Sequence, residues 1–155
     1  MINKIYFKNY KSFKEKQELE LKPITILIGK NSSGKSAIAK LPTLIEGSLS
    51  GNFEEPLLVV NESVELGAEF RDLVYGRDIG SLEFTLKSSE NSLTVEVTSG
   101  LKDSEFPRIR KWKLNDELQL NYDDKTQNYF TVEKDLNYKC SFLGFELIEM
   151  NKVKC

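Results

Sequence analysis

Residues 23–36 read PITILIGKNSSGKS, a short apolar run that enters a turn made of glycine, serine, asparagine and lysine. Pro23 opens the run, and ITILI is continuous and rich in β-branched residues, which predicts a central strand covered on both faces. The turn fills the pattern G-x-x-x-x-G-K-[ST] with Gly29, Gly34, Lys35 and Ser36. From Lys35 onward apolar residues recur at helical spacing, through Ala37, Ile38, Leu41, Leu44 and Ile45. Strand, loop and helix in that order form the setting in which this pattern marks a phosphate cradle.

The chemistry of such a cradle follows from its residue types. Glycines let the backbone curl so that successive N–H groups converge on one anion. A helix starting near Lys35 points its positive dipole end at the same place. Lys35 would reach the β- and γ-phosphate oxygens of a nucleotide as a mobile charge. The Ser36 hydroxyl is a hard oxygen ligand for Mg²⁺. Lys30, Asn31, Ser32, Ser33 and Ala37 complete the expected binding segment, with the asparagine and serines small enough to keep the loop tight. ATP and Mg²⁺ are therefore the expected cofactors.

Outward from the loop, IYFKNY and QELELK alternate apolar and polar residues around a polar turn, which predicts a β-hairpin ahead of the loop. Pro42 interrupts the helical pattern behind it, and GSLSGN (residues 47–52) carries loop chemistry, so a short or kinked helix is expected. Beyond residue 52 the chain turns to β. AEFRDLVYGRD suits a helical turn, while SLEFTLK and SLTVEVTS flank SSEN as a hairpin. RIRKWKL, ELQLNYDD and NYFTVEK continue the meander, and GFELIEM reads equally as strand or helix start. The expected fold is α/β: a phosphate-loop mixed sheet in residues 1–50 joined, in a single domain, to a mostly antiparallel β region in residues 51–155.

Composition narrows the chemistry. Of 155 residues, 39% are hydrophobic and 30% charged, the balance of a globular domain, and the net charge of -2 gives no broad basic field for nucleic acid. Histidine is absent, which excludes Ser-His-Asp and Cys-His catalysis by this chain alone. Cys140 and Cys155 have neither zinc nor disulfide-framework spacing and read as reduced thiols. With no apolar run of membrane length and no signal-like start, a cytoplasmic protein is expected. RIRKWKL sets Arg108, Arg110, Lys111 and Lys113 around Trp112. On strand geometry Arg108, Arg110 and Trp112 share a face, either for nucleic-acid contact or, as such strands more often are, as a solvated edge with the aromatic inward.

The start of the chain resembles the amino-terminal end of ABC-type ATPases of the SMC, RecF and OLD group. The resemblance rests on KIYFKNYKSFKE, in which Asn9, Tyr10, Lys11, Ser12 and Phe13 fall on the family's first-strand motif, and on Asn31 to Ser36 as its NxxGKS loop. SVELGAEFRDLVYGRD resembles the LGxFxDLVHG region of a prokaryotic AAA-family branch in that group, many of whose members are uncharacterised or implicated in phage defence. The resemblance implies that Lys11 and Ser12 lie beside the nucleotide, near its base or α-phosphate; Phe13 reads as core or as a base-stacking ring. Hydrolysis in that family also needs a Walker B carboxylate pair and a signature motif. LLVVNE (residues 57–62) imitates the former but has Asn61 where aspartate belongs, and GFELIEM offers only Glu146 and Glu149.

The expectation is thus the front part of an ABC-type ATPase head. It would be completed by a homodimer mate, a second chain or further sequence, and would act in DNA processing or defence. A small phosphate-loop phosphotransferase and a β-rich interaction module with a vestigial loop are the alternatives.

Overall fold

The computed structural model describes residues 1–99, 106–131 and 136–153. Cys155 and the end of NYFTVEK lie outside them. The hairpin ahead of the loop forms as β1 (Lys4–Lys8) and β2 (Gln17–Glu20), in a register that pairs Ile5 with Leu19 and Phe7 with Gln17. Lys4 and Glu18 close an ion pair of 2.7 Å across it. The helix α1 (Lys35–Leu49) follows the glycine-rich turn. A small hairpin, β3 (Val60–Asn61) with β4 (Val64–Glu65), and two 3₁₀ turns, Phe70–Asp72 and Tyr75–Arg77, lead into a meander. Its strands are β5 (Ser81–Lys87), β6 (Ser92–Thr98), β7 (Arg108–Leu114), β8 (Leu118–Asp123), β9 (Asn128–Thr131), β10 (Asn137–Leu143) and β11 (Glu146–Val153).

Nine strands make one sheet in the order β11-β10-β9-β8-β7-β6-β5-β1-β2. Every pairing among the described residues is antiparallel. The mixed sheet expected from the sequence is therefore not what forms. ITILI belongs to no strand, and Ile24, Ile26 and Ile28 are 81%, 77% and 92% exposed. The cause is one of partners. A central strand needs neighbours on both edges, and among the described residues this run pairs with no strand. Only Leu27 of the run reaches the core. GFELIEM resolves as strand, since β11 opens at Glu146.

The core lies on one face of the sheet, where alternation along β1, β5 and β6 places Ile5, Phe7, Leu82, Phe84, Leu86, Val95 and Val97. Helix α1 covers part of this face with Leu41, Leu44 and Ile45. Contrary to expectation, α1 runs through both Pro42 and Gly47 as a single 15-residue element. A proline inside a helix costs about 3 kcal/mol, and each fully buried leucine or isoleucine returns about 1.5–3 kcal/mol, so packing decides the length. Ser48, buried in the last turn, donates its hydroxyl to the Leu44 carbonyl at 2.9 Å. The far end of α1 is fixed by the β10–β11 turn, where the Phe145 amide donates to the Ser48 carbonyl at 2.7 Å.

The expected face assignment of RIRKWKL also changes. Ile109 and Trp112 are both buried although they are three residues apart, because the register between β6 and β7 shifts beside Arg110. A bulge adds one residue and reverses the side-chain parity beyond it.

Candidate nucleotide site

The loop's geometry starts from Gly34. Its φ of 89° is left-handed, and an added Cβ would sit 2.5 Å from Ser12 Oγ and 2.6 Å from the Phe13 ring. Glycine is thus needed for both the bend and the close packing on the hairpin turn. Phe13 meets Phe7 edge-on at 5.5 Å, and Phe7 in turn meets Tyr10 at 5.7 Å, so Phe13 belongs to the aromatic floor beneath the loop. Tyr10, fully buried, donates its hydroxyl to the Ala37 carbonyl at 3.1 Å, and burial pushes its phenol well above the usual range. The first strand's turn and the first turn of α1 are in this way held as one unit.

Helix α1 begins with no side-chain cap and no acidic residue in its first turn. Its leading N–H groups are the ones such a terminus presents to an anion. The Lys35 ammonium folds back over the loop and donates to the Gly29 carbonyl at 2.8 Å and the Lys30 carbonyl at 2.5 Å. Residues 31–37, together with Lys11 and Ser12, line a cavity of about 600 Å³, within the roughly 300–1,000 Å³ typical of ligand pockets. Gly29 and Lys30 are outside the lining and act through the carbonyls that hold Lys35.

Lys11 has a left-handed backbone (φ 52°), and its amide donates to the Leu73 carbonyl at 2.7 Å while its ammonium donates to the Leu66 carbonyl. Burial lowers its pKa, with Asp72 acting in the opposite sense. The cavity's remaining wall, Asp72, Val74, Gly76 and Arg77, comes from the two 3₁₀ turns and the link between them. Sequence reasoning gave these residues no role. The available signal was Gly76 in a turn followed directly by a cation, in the stretch LVYGRD.

The two other constellations do not join this site. Asn61 donates its amide to the Thr43 carbonyl at 2.8 Å and to Glu46 at 3.2 Å, so it ties β3 to the flank of α1. Trp112 donates its indole N–H to the Phe145 carbonyl at 2.9 Å and packs in the core, while Arg108 stacks on the Tyr122 ring at 5.2 Å. Lys113 pairs with Asp116 at 2.7 Å. Among the described residues there is no group of three acidic, cysteine or histidine side chains placed to hold a metal, and no helix long and apolar enough to cross a membrane.

A family model described as an AAA ATPase domain matches residues 1–152. The chain belongs to the AAA ATPase domain family. Membership makes nucleotide binding the function of the class. No curated protein and no solved structure matches the chain.

Proposed function

We propose that this AAA ATPase domain binds ATP with Mg²⁺ on residues 29–37, as the front part of an ABC-type head related to the SMC, RecF and OLD group. The observation that carries the reading is the single cavity onto which the loop, the uncapped start of α1 and the Lys11–Ser12 turn all open. The loop and helix amides would receive the β- and γ-phosphates, with Lys35 exchanging its two carbonyl partners for phosphate oxygens. Lys11 and Ser12 would take the α-phosphate or base side. The exposed Ser36 hydroxyl would be the chain's ligand to Mg²⁺. Bound there, the ion would supply positive charge to offset that of the phosphates.

Hydrolysis also requires a carboxylate that orients water, and Asn61 is bonded to the helix flank instead. The reading assigns the Walker B and signature elements to sequence outside these 155 residues, on a homodimer mate, a second chain or the same protein. A role in DNA processing or phage defence is what the resemblances of the first strand and loop and of SVELGAEFRDLVYGRD imply, and a cytoplasmic setting is part of the same proposal. A second reading, an interaction module with a vestigial loop, is favoured by one contact pattern: Lys35 is already engaged by the loop's own carbonyls.

Titration calorimetry with ATP-Mg²⁺ separates the two. Binding in the micromolar range or weaker, negligible turnover by the chain alone, and loss of binding in Lys35→Ala are expected. A melting curve unmoved by millimolar ATP-Mg²⁺ would instead favour the vestigial loop, because a saturating ligand must stabilise the fold it binds.

A further inference from the structure

Phosphate-loop chemistry has no need of Asp72 or Arg77, yet both line the same cavity, with Lys11 beside them. The segment that carries them is fixed by main-chain bonds. The Tyr75 amide donates to the Asn9 carbonyl at 3.0 Å, Lys11 donates to Leu73, and Tyr10 and Val74 form an isolated bridge between these two bonds. The segment then turns through two successive left-handed residues, Gly76 (φ 71°) and Arg77 (φ 56°). A non-glycine residue is disfavoured in that region and persists where the surroundings hold it.

The side chains of this pair are held unequally. Asp72 is 14% exposed, and its Oδ2 accepts from the Ala68 amide at 2.9 Å and the Glu69 amide at 3.3 Å. These amides, the Ala68 bond foremost, hold its carboxyl below the usual carboxylate range. Arg77 is 69% exposed and meets Asp72 Oδ1 at 2.6 Å. The aspartate is anchored from behind without the arginine, whereas the arginine's described partner is that aspartate. An ion pair with one partner held and the other largely in solvent adds little to stability. A guanidinium–phosphate contact in a partly enclosed site is stronger.

We propose that Arg77 is a ligand contact of this cavity: its guanidinium leaves Asp72 and closes on a phosphate of the nucleotide seated over residues 31–37. Asp72 parks the arginine in the free protein. The cavity then presents Lys11, Lys35 and Arg77 to a polyanion, with Asp72 as the counter-charge that the exchange displaces. This rests on the phosphate-loop reading and adds a second wall to it.

The test is calorimetry with ATP-Mg²⁺ and, in parallel, inorganic triphosphate with Mg²⁺. Arg77→Asn suits it, since asparagine tolerates the left-handed backbone, and Arg77→Lys keeps the charge. Asp72→Asn retains an oxygen for the Ala68 and Glu69 amides. Arg77→Asn should weaken both ligands about tenfold or more, Arg77→Lys by less, and Asp72→Asn should bind as tightly as wild type or more tightly. Affinity for both ligands unchanged in Arg77→Asn overturns the proposal, as does a loss confined to ATP, which would place the contact on the nucleoside. A loss in Asp72→Asn as large as in Arg77→Asn overturns the parking role. If wild type binds and Lys35→Ala does not, while Arg77→Asn does, this proposal fails alone. If wild type binds neither ligand, the phosphate-loop reading fails and takes this one with it.

Discussion

At position 140 a thiol sits half-buried in β10, and burial raises its pKa to about 11. The folded chain therefore keeps the Cys140 proton over a pH range in which the unfolded chain has already released it. With the folded pKa above the unfolded one, the native state binds more protons in that interval, so stability falls as pH rises from about 9 to about 11. Below that window the group contributes its full effect. In a Cys155→Ser background, urea midpoints measured across this range should fall more steeply for Cys140 than for Cys140→Ser. Alkylation of Cys140 at pH 8 should be much slower in the native chain than in urea; equal rates would show that the thiol is not shielded. That both cysteines lack metal spacing was plain from the sequence. The shielding of Cys140 was not, because it depends on which face of β10 is covered. Gly29, Gly34, Lys35 and Ser36 stand at the opposite extreme: their pattern is local and is read directly from four positions.

Among the elements, the hairpins were legible because alternation and turn residues agree. SLEFTLK-SSEN-SLTVEVT forms β5 and β6 with Leu82 facing Val97 and Phe84 facing Val95. Helix α1 was misjudged at its far end, since Pro42, Gly47 and Ser48 each argue locally for an end and only tertiary contacts overrule them. Gly47 is one such contact, for a Cβ there would lie 2.8 Å from the Asn61 amide nitrogen. The turn between β10 and β11 supplies another. Gly144 has φ 56°, and a Cβ on it would overlap the Ser48 carbonyl oxygen, to which the Phe145 amide donates. Gly144→Ala should destabilise the fold by about 1–3 kcal/mol, through left-handed strain and overpacking together. Chemical denaturation measures this directly, and a midpoint equal to wild type would mean that the helix end and the turn are free to separate. The bulge beside Arg110 belongs to the same class of hidden feature: one extra residue reverses parity, and RIRKWKL contains nothing that announces it.

For the molecule as a whole, the misplaced ITILI run states what a sequence pattern measures. Apolar continuity reports that a segment prefers to be covered; it does not say which strands cover it. Here the sheet forms without this segment, and Ile24, Ile26 and Ile28 are exposed on alternate positions of the stretch that leads into the glycine-rich loop. Three exposed isoleucines so spaced form an apolar stripe of the kind monomeric surfaces seldom leave uncovered. The chain on its own should therefore associate as its concentration rises, which sedimentation velocity would show as a rising weight-average coefficient. Ile26→Lys places a charge at the centre of the stripe while leaving the core residue Leu27 untouched, and should shift the chain toward monomer with its melting temperature retained. A concentration-independent coefficient in the unmodified chain, or one that Ile26→Lys fails to lower, would locate any association elsewhere and leave these isoleucines simply solvated.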